Sequence, residues 1–118
     1  SLHDNQQVIG FQVLKGTGYL KKEVERWLHQ FYKDDREKAG KSTKINWEIL
    51  DDYHFGGYAK KNKVLEDFIF SFEKENNIAL DFVYTGKLFF GIYDFLRKGI
   101  FKRGSTIVAV HSGGVFPL

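Results

Sequence analysis

From Val8 to Leu14 the residues are mostly apolar or β-branched, and Gly16 and Gly18 follow. That pattern predicts a buried strand and then a turn. Leu20, Val24, Trp27, Leu28 and Phe31 next recur at helical spacing with charges between them. They predict a helix from about Tyr19 to Lys33 that buries one stripe. Residues Asp34 to Lys44 are charged, contain Gly40, and predict an exposed loop. Ile45, Trp47 and Ile49 alternate with Asn46 and Glu48, the period of a half-exposed strand. A run dense in turn formers and aromatics follows, Asp51 to Tyr58. Val64, Leu65, Phe68, Ile69 and Phe72 mark a second helix, ending near Asn76-Asn77 because Asn suits a helix stop. After a short apolar segment from Ile78 to Tyr84, Thr85-Gly86 opens a third helix. Its stripe is Leu88, Phe89, Ile92, Phe95 and Leu96, and Gly99 ends it. Thr106 to Val110 is a continuous apolar run, typical of a central parallel strand. Strands alternating with helices predict the α/β class: a partial open, mainly parallel sheet with flanking helices, in one partial domain over residues 1–118.

Composition narrows the function classes. At 118 residues the chain suits one domain, and aromatics at 17% give even a short chain a core. The net charge of +3 is mild, and Lys21, Lys22, Glu23, Glu25 and Arg26 read as the wet face of a helix, so nucleic acid is not an expected partner. The absence of cysteine excludes disulfide scaffolds and thiolate metal sites and favours an intracellular setting. No apolar run is long enough to span a bilayer, so no membrane role and a cytoplasmic location are expected. No initiator Met is present: Ser1-Leu2-His3 leads almost directly into a strand, and the chain stops at Pro117-Leu118 just after another. The expectation is a piece of something larger. No metal site is expected.

Two motifs fail on inspection. Ala39-Gly40-Lys41-Ser42-Thr43 looks like the end of a phosphate-binding P-loop, but Asp35 stands where its first Gly belongs. Gly16-Thr17-Gly18 would need a third Gly where Lys21 stands, and is a turn. His111-Ser112-Gly113-Gly114 lies at the C-terminal end of the last expected strand, where ligands of open α/β sheets gather. Neighbours on a strand point opposite ways, so His111 is no obvious base for Ser112. A strand-ending turn with a packed histidine is an equal alternative there.

Asp81-Phe82-Val83-Tyr84-Thr85-Gly86-Lys87, then a helix, then Lys102-Arg103-Gly104-Ser105 and His111-Ser112-Gly113-Gly114 together resemble the closing segment of a known enzyme family. These are the pyridoxal-phosphate enzymes of the 1-aminocyclopropane-1-carboxylate (ACC) deaminase and D-cysteine desulfhydrase group, of fold type II. Gly57-Tyr58-Ala59 sits where that family has an aromatic element before a helix, and the strand from Val8 resembles the one after its glycine-rich phosphate loop. The resemblance implies that Thr85 partners the pyridine nitrogen and that Ser112 is a second hydroxyl at the same ring edge. It implies that Tyr84 points its phenol at the substrate, as acid/base group or carboxylate holder, and that Tyr58 is a second phenol there. As buried aromatics with satisfied hydroxyls, the two tyrosines would have no such role. Asp81 is expected to cap or order the segment. Family deaminases often have a glutamate at the Thr85 position, so a neutral hydroxyl implies a weaker electron sink and leans toward desulfhydrase-like elimination.

The resemblance also implies that the cofactor-binding lysine and the phosphate loop precede this segment, with Lys87 a structural or solvated group. The segment alone is then expected to show no cofactor absorption band and no turnover. The expected partners are a small amino-acid substrate and a second copy of the chain, as a homodimer or through self-association of exposed apolar edges. The alternative is a stand-alone, non-catalytic α/β binding module in which Tyr84-Thr85-Gly86 is only a helix start.

Overall fold

A computed structural model describes residues 6–16, 18–34 and 45–114. The elements run β1 (Gln7–Phe11), α1 (Tyr19–Asp34), β2 (Asn46–Leu50), α2 (Lys63–Asn76) and α3 (Thr85–Arg97). The class is α/β, as expected, with β1 and β2 paired in parallel from Gln7 opposite Asn46 to Phe11 opposite Leu50. Most of the loop expected from Asp34 to Lys44, with the Ala39–Thr43 motif, lies outside the described residues.

The expected strand to Leu14 stops at Phe11. Gln12 adds one more ladder bond, its N–H to the Leu50 carbonyl at 2.7 Å, but its buried side chain donates to the Leu14 and Gly16 carbonyls and turns the chain. Gly16 and Gly18 complete the turn at φ 154° and 72°, which a Cβ would oppose.

Helix α2 is defined at both ends by asparagine. Asn62 Oδ1 accepts from the Leu65 amide at 3.0 Å, an N-cap, and Asn77 at φ 54° closes the helix with its N–H on the Glu73 carbonyl. Helix α3 ends in a Schellman motif: Gly99 (φ 66°) donates to Leu96 and Ile100 to Phe95. Leu65, Ile69, Phe72 and Leu80 form the buried core, with Phe55, Phe68, Phe82, Phe89 and Phe90 packed against it. The α3 face toward the sheet meets a second aromatic group, in which the Phe11 ring lies edge-on to Tyr53 (5.4 Å) and Phe95 (5.7 Å). Gly91 seats the Phe11 ring, since a Cβ there would fall inside it.

Two expectations are corrected. Thr106 to Val110 belongs to no sheet among the described residues, and Val108 is 83% exposed. A strand needs a neighbour for its N–H and C=O groups, and the two-stranded sheet does not reach this segment. Likewise α1 buries none of its residues: Leu20, Val24 and Leu28 are half-covered, while Trp27 and Phe31 of the same stripe are exposed. Among the described elements it packs on β2 alone, so these leave part of its apolar face uncovered.

Candidate functional site

Asp81 organises the start of α3. Its Oδ1 accepts from the amides of Val83 (2.7 Å) and Tyr84 (2.6 Å), and its Oδ2 from the amide and hydroxyl of Thr85 (3.0 and 2.6 Å). The carboxylate thus satisfies N–H groups that a helix start leaves open. Burial pushes its pKa up, but the Thr85 hydroxyl and the three amides outweigh that and hold it below the ordinary value. This is the ordering role expected of Asp81. Gly86 fits because its N–H binds the Asp81 carbonyl at 2.7 Å and a Cβ would come within 2.6 Å of Ile69.

Thr85 is buried, and its hydroxyl is engaged twice: its hydrogen goes to Asp81 Oδ2, and its oxygen accepts the Asp81 N–H at 2.9 Å. One lone pair remains, so Thr85 can accept from a further group but has no proton to offer it. Ser112 is exposed, and its hydroxyl has no partner among the described residues. Its loop reaches the same carboxylate, because a Cβ on Gly114 would meet Asp81 Oδ2.

The histidine beside it is tied down. Nδ1 of His111 accepts the Gly113 N–H at 3.0 Å, so Nε2 carries the hydrogen that goes to the Ala79 carbonyl at 2.8 Å. Neither ring nitrogen is left to serve Ser112, and the reason is these two bonds rather than strand geometry, since the segment before His111 forms no strand among the described residues.

Tyr58 and Tyr84 are brought together from two segments. Their hydroxyls lie 3.0 Å apart and their rings 6.0 Å apart, edge to face. Both are exposed rather than packed away, at 51% and 40%. The hydrogen bond with Tyr58, with some burial, raises the Tyr84 phenol above its usual pKa, so Tyr84 keeps its proton at neutral pH. Such a pair can donate a hydrogen bond or a proton outward. It is no source of phenolate.

Lys87 is the residue whose partner went unread. Its side chain is fully buried, and its ammonium donates to the Gly57 carbonyl at 2.9 Å. The structural role expected of it holds, but not the solvated one. The sequence did carry a signal: Lys87 shares the i, i+4, i+8 row with Gly91 and Phe95, on the buried face of α3. Among the described residues no cluster of three or more His, Cys, Asp or Glu could hold a metal ion, and no helix is long and apolar enough to cross a membrane.

No family model matches the chain. It is similar to a Pyrococcus abyssi protein named "Putative 1-aminocyclopropane-1-carboxylate deaminase", 32% identical over 108 residues, covering 92% of this chain and 31% of that protein. A Pyrococcus horikoshii protein of the same name is 35% identical over 88 residues, covering 75% of this chain and 26% of its own length. The 1-aminocyclopropane-1-carboxylate deaminase of Rhizobium radiobacter is 33% identical over 66 residues, 56% of this chain and 20% of that enzyme. The chain spans less than a third of each of these curated relatives.

Proposed function

We propose, from the premise that this chain belongs to the ACC deaminase family and matches a part of its members, that it forms one wall of the site of a pyridoxal-phosphate enzyme acting on a small amino acid. The observation that carries this is the exposed phenol pair, Tyr58 and Tyr84, 3.0 Å apart beside the Asp81-ordered start of α3. Pyridoxal phosphate, when bound, supplies the electron sink for chemistry at the substrate's α-carbon.

The residues present suit one edge of such a ring. The exposed Ser112 hydroxyl can donate to a ring nitrogen, and Thr85, fixed by Asp81, can accept from one through its remaining lone pair. Neither is an acid, so this wall offers the ring no proton of its own. That favours elimination of the desulfhydrase type over opening of a cyclopropane ring. Tyr84 keeps its proton at neutral pH by donating it to Tyr58; with substrate bound it turns that proton to the substrate carboxylate or the departing atom, and Tyr58 donates to the Tyr84 oxygen in return. The covalent lysine and the phosphate-binding loop would come from the remainder of the protein, so the 118 residues alone are expected to give no turnover.

Kinetics of the full-length protein with added cofactor test this. Tyr84→Phe is expected to lower kcat by about a hundredfold, at the low end of general acid catalysis, with a smaller loss for Tyr58→Phe. Ser112→Ala and Thr85→Ala are expected to move the cofactor's absorption band. Unchanged rates in both phenylalanine variants would sink the substrate-wall assignment, and an unchanged band in both alanine variants the ring-edge one.

A further inference from the structure

A lysine is almost never fully buried without a return, because its ammonium loses the water that solvates it. Lys87 has no exposure, and the single carbonyl it binds belongs to Gly57. Packing alone would be served better by an apolar side chain of the same length. What the charge holds is therefore the point of interest.

The loop it holds is unusual. Phe55, Gly56, Gly57 and Ala59 all have positive φ, at 55°, 102°, 127° and 56°. Phe55 and Ala59 are there against the preference of any residue with a Cβ. Within the loop the fixing bonds are few: Gly56 N–H to His54 Nδ1, Gly57 N–H to the His54 carbonyl, and Lys60 N–H to the Gly57 carbonyl. The Gly57 carbonyl thus accepts twice, from its own loop and from Lys87. One residue further on is Tyr58, and three residues before Lys87 is Tyr84. The same two segments are joined by two rungs, one buried ammonium–carbonyl bond and one exposed phenol–phenol bond.

We propose that Lys87 is the positioning residue of the phenol pair: by anchoring the Gly57 carbonyl to the first turn of α3 it sets the distance at which Tyr58 and Tyr84 share a hydrogen bond. This rests on the assignment of the two tyrosines to the substrate wall, which Lys87 itself does not touch. The ammonium lies in a field of few charges. Burial lowers its pKa and Asp81 opposes the change, while Tyr84 is faced by Tyr58 and, more weakly, by Asp81.

A double-mutant cycle read by tyrosine titration tests the proposal without substrate. In the full-length protein carrying 13C at the tyrosine ζ position, the Tyr58 and Tyr84 signals are identified from Tyr58→Phe and Tyr84→Phe. Tyr58→Phe is expected to move the Tyr84 midpoint down, by removing its hydrogen bond. Lys87→Met is expected to move it down likewise, and adding Tyr58→Phe to Lys87→Met should move it no further. A residue that only fills space would lower the melting temperature and leave the Tyr84 midpoint in place. A residue felt only through its charge would, once removed, move it up. Either result overturns the proposal, as does a full Tyr58→Phe effect in the Lys87→Met background. Lys87→Leu runs the same cycle where the methionine variant does not fold. Failure of the substrate-wall assignment shows separately, as unchanged turnover in Tyr58→Phe and Tyr84→Phe beside an intact titration cycle.

Discussion

Replacing Asp81 by alanine removes the acceptor of three amides and one hydroxyl at once, all at the start of one helix. Loss of a cap costs about 1 kcal/mol, and bonds to a buried charge add to that, so Asp81→Ala is expected to lower stability by about 2–3 kcal/mol in chemical denaturation. Its pH signature has a definite sign. The folded carboxyl is held below its ordinary value, so its stabilisation is present above about pH 4 and is lost as pH falls through the lower folded value. The acid limb of the stability curve should flatten in Asp81→Ala. Tyr53 gives the opposite limb. Burial, aided by its 2.7 Å bond to Asp94, pushes its phenol up to about 12. The neutral phenol is favoured in the fold, so its contribution is full below about pH 10 and disappears as pH rises through about 12. Denaturation between those pH values should show a loss that Tyr53→Phe removes.

Among the elements, the ones legible in the sequence are those whose signals are local. Asn77 marks the end of α2 through its own backbone, and Thr85-Gly86 marks the start of α3; the Asn62 side-chain cap at the start of α2 is just as local, yet the apolar stripe alone does not place it. The ordering role of Asp81 was legible for the same reason, since its partners lie within four residues. What was not legible needed a partner far along the chain. Lys87 finds its carbonyl across the fold at Gly57, and Thr106 to Val110 reads as a buried strand although a strand is only as real as its neighbour. The Phe11 seat at Gly91 is another long-range fit, and it has a sharp test. Gly91→Ala puts a methyl into the Phe11 ring, and overpacking of this kind costs about 1–3 kcal/mol. Phe11→Leu combined with Gly91→Ala should recover part of that loss. A Gly91→Ala variant as stable as the parent would show that the ring moves aside freely.

Over the whole molecule, protection is expected to be uneven. The α2–α3 unit carries the buried core, whereas Val108 and Val110 are 83% and 70% exposed and their segment has no ladder among the described residues. In hydrogen exchange on the 118-residue chain, amides of Leu65, Ile69 and Phe72 should be the slow ones and those of residues 106–110 nearly unprotected. Slow exchange at 106–110 would reveal a strand partner. The Phe11–Gly91 contact has a consequence in time as well. Helices α2 and α3 are joined by a short connection and can find each other early, because the loop to be closed is small. The β1–β2 layer is fastened through Phe11 and Gly91, 80 positions apart in the sequence, a closure with a larger entropy cost. It should therefore arrive last, giving a slower kinetic phase that Phe11→Leu, outside both helices, changes while leaving the early helical phase as it was.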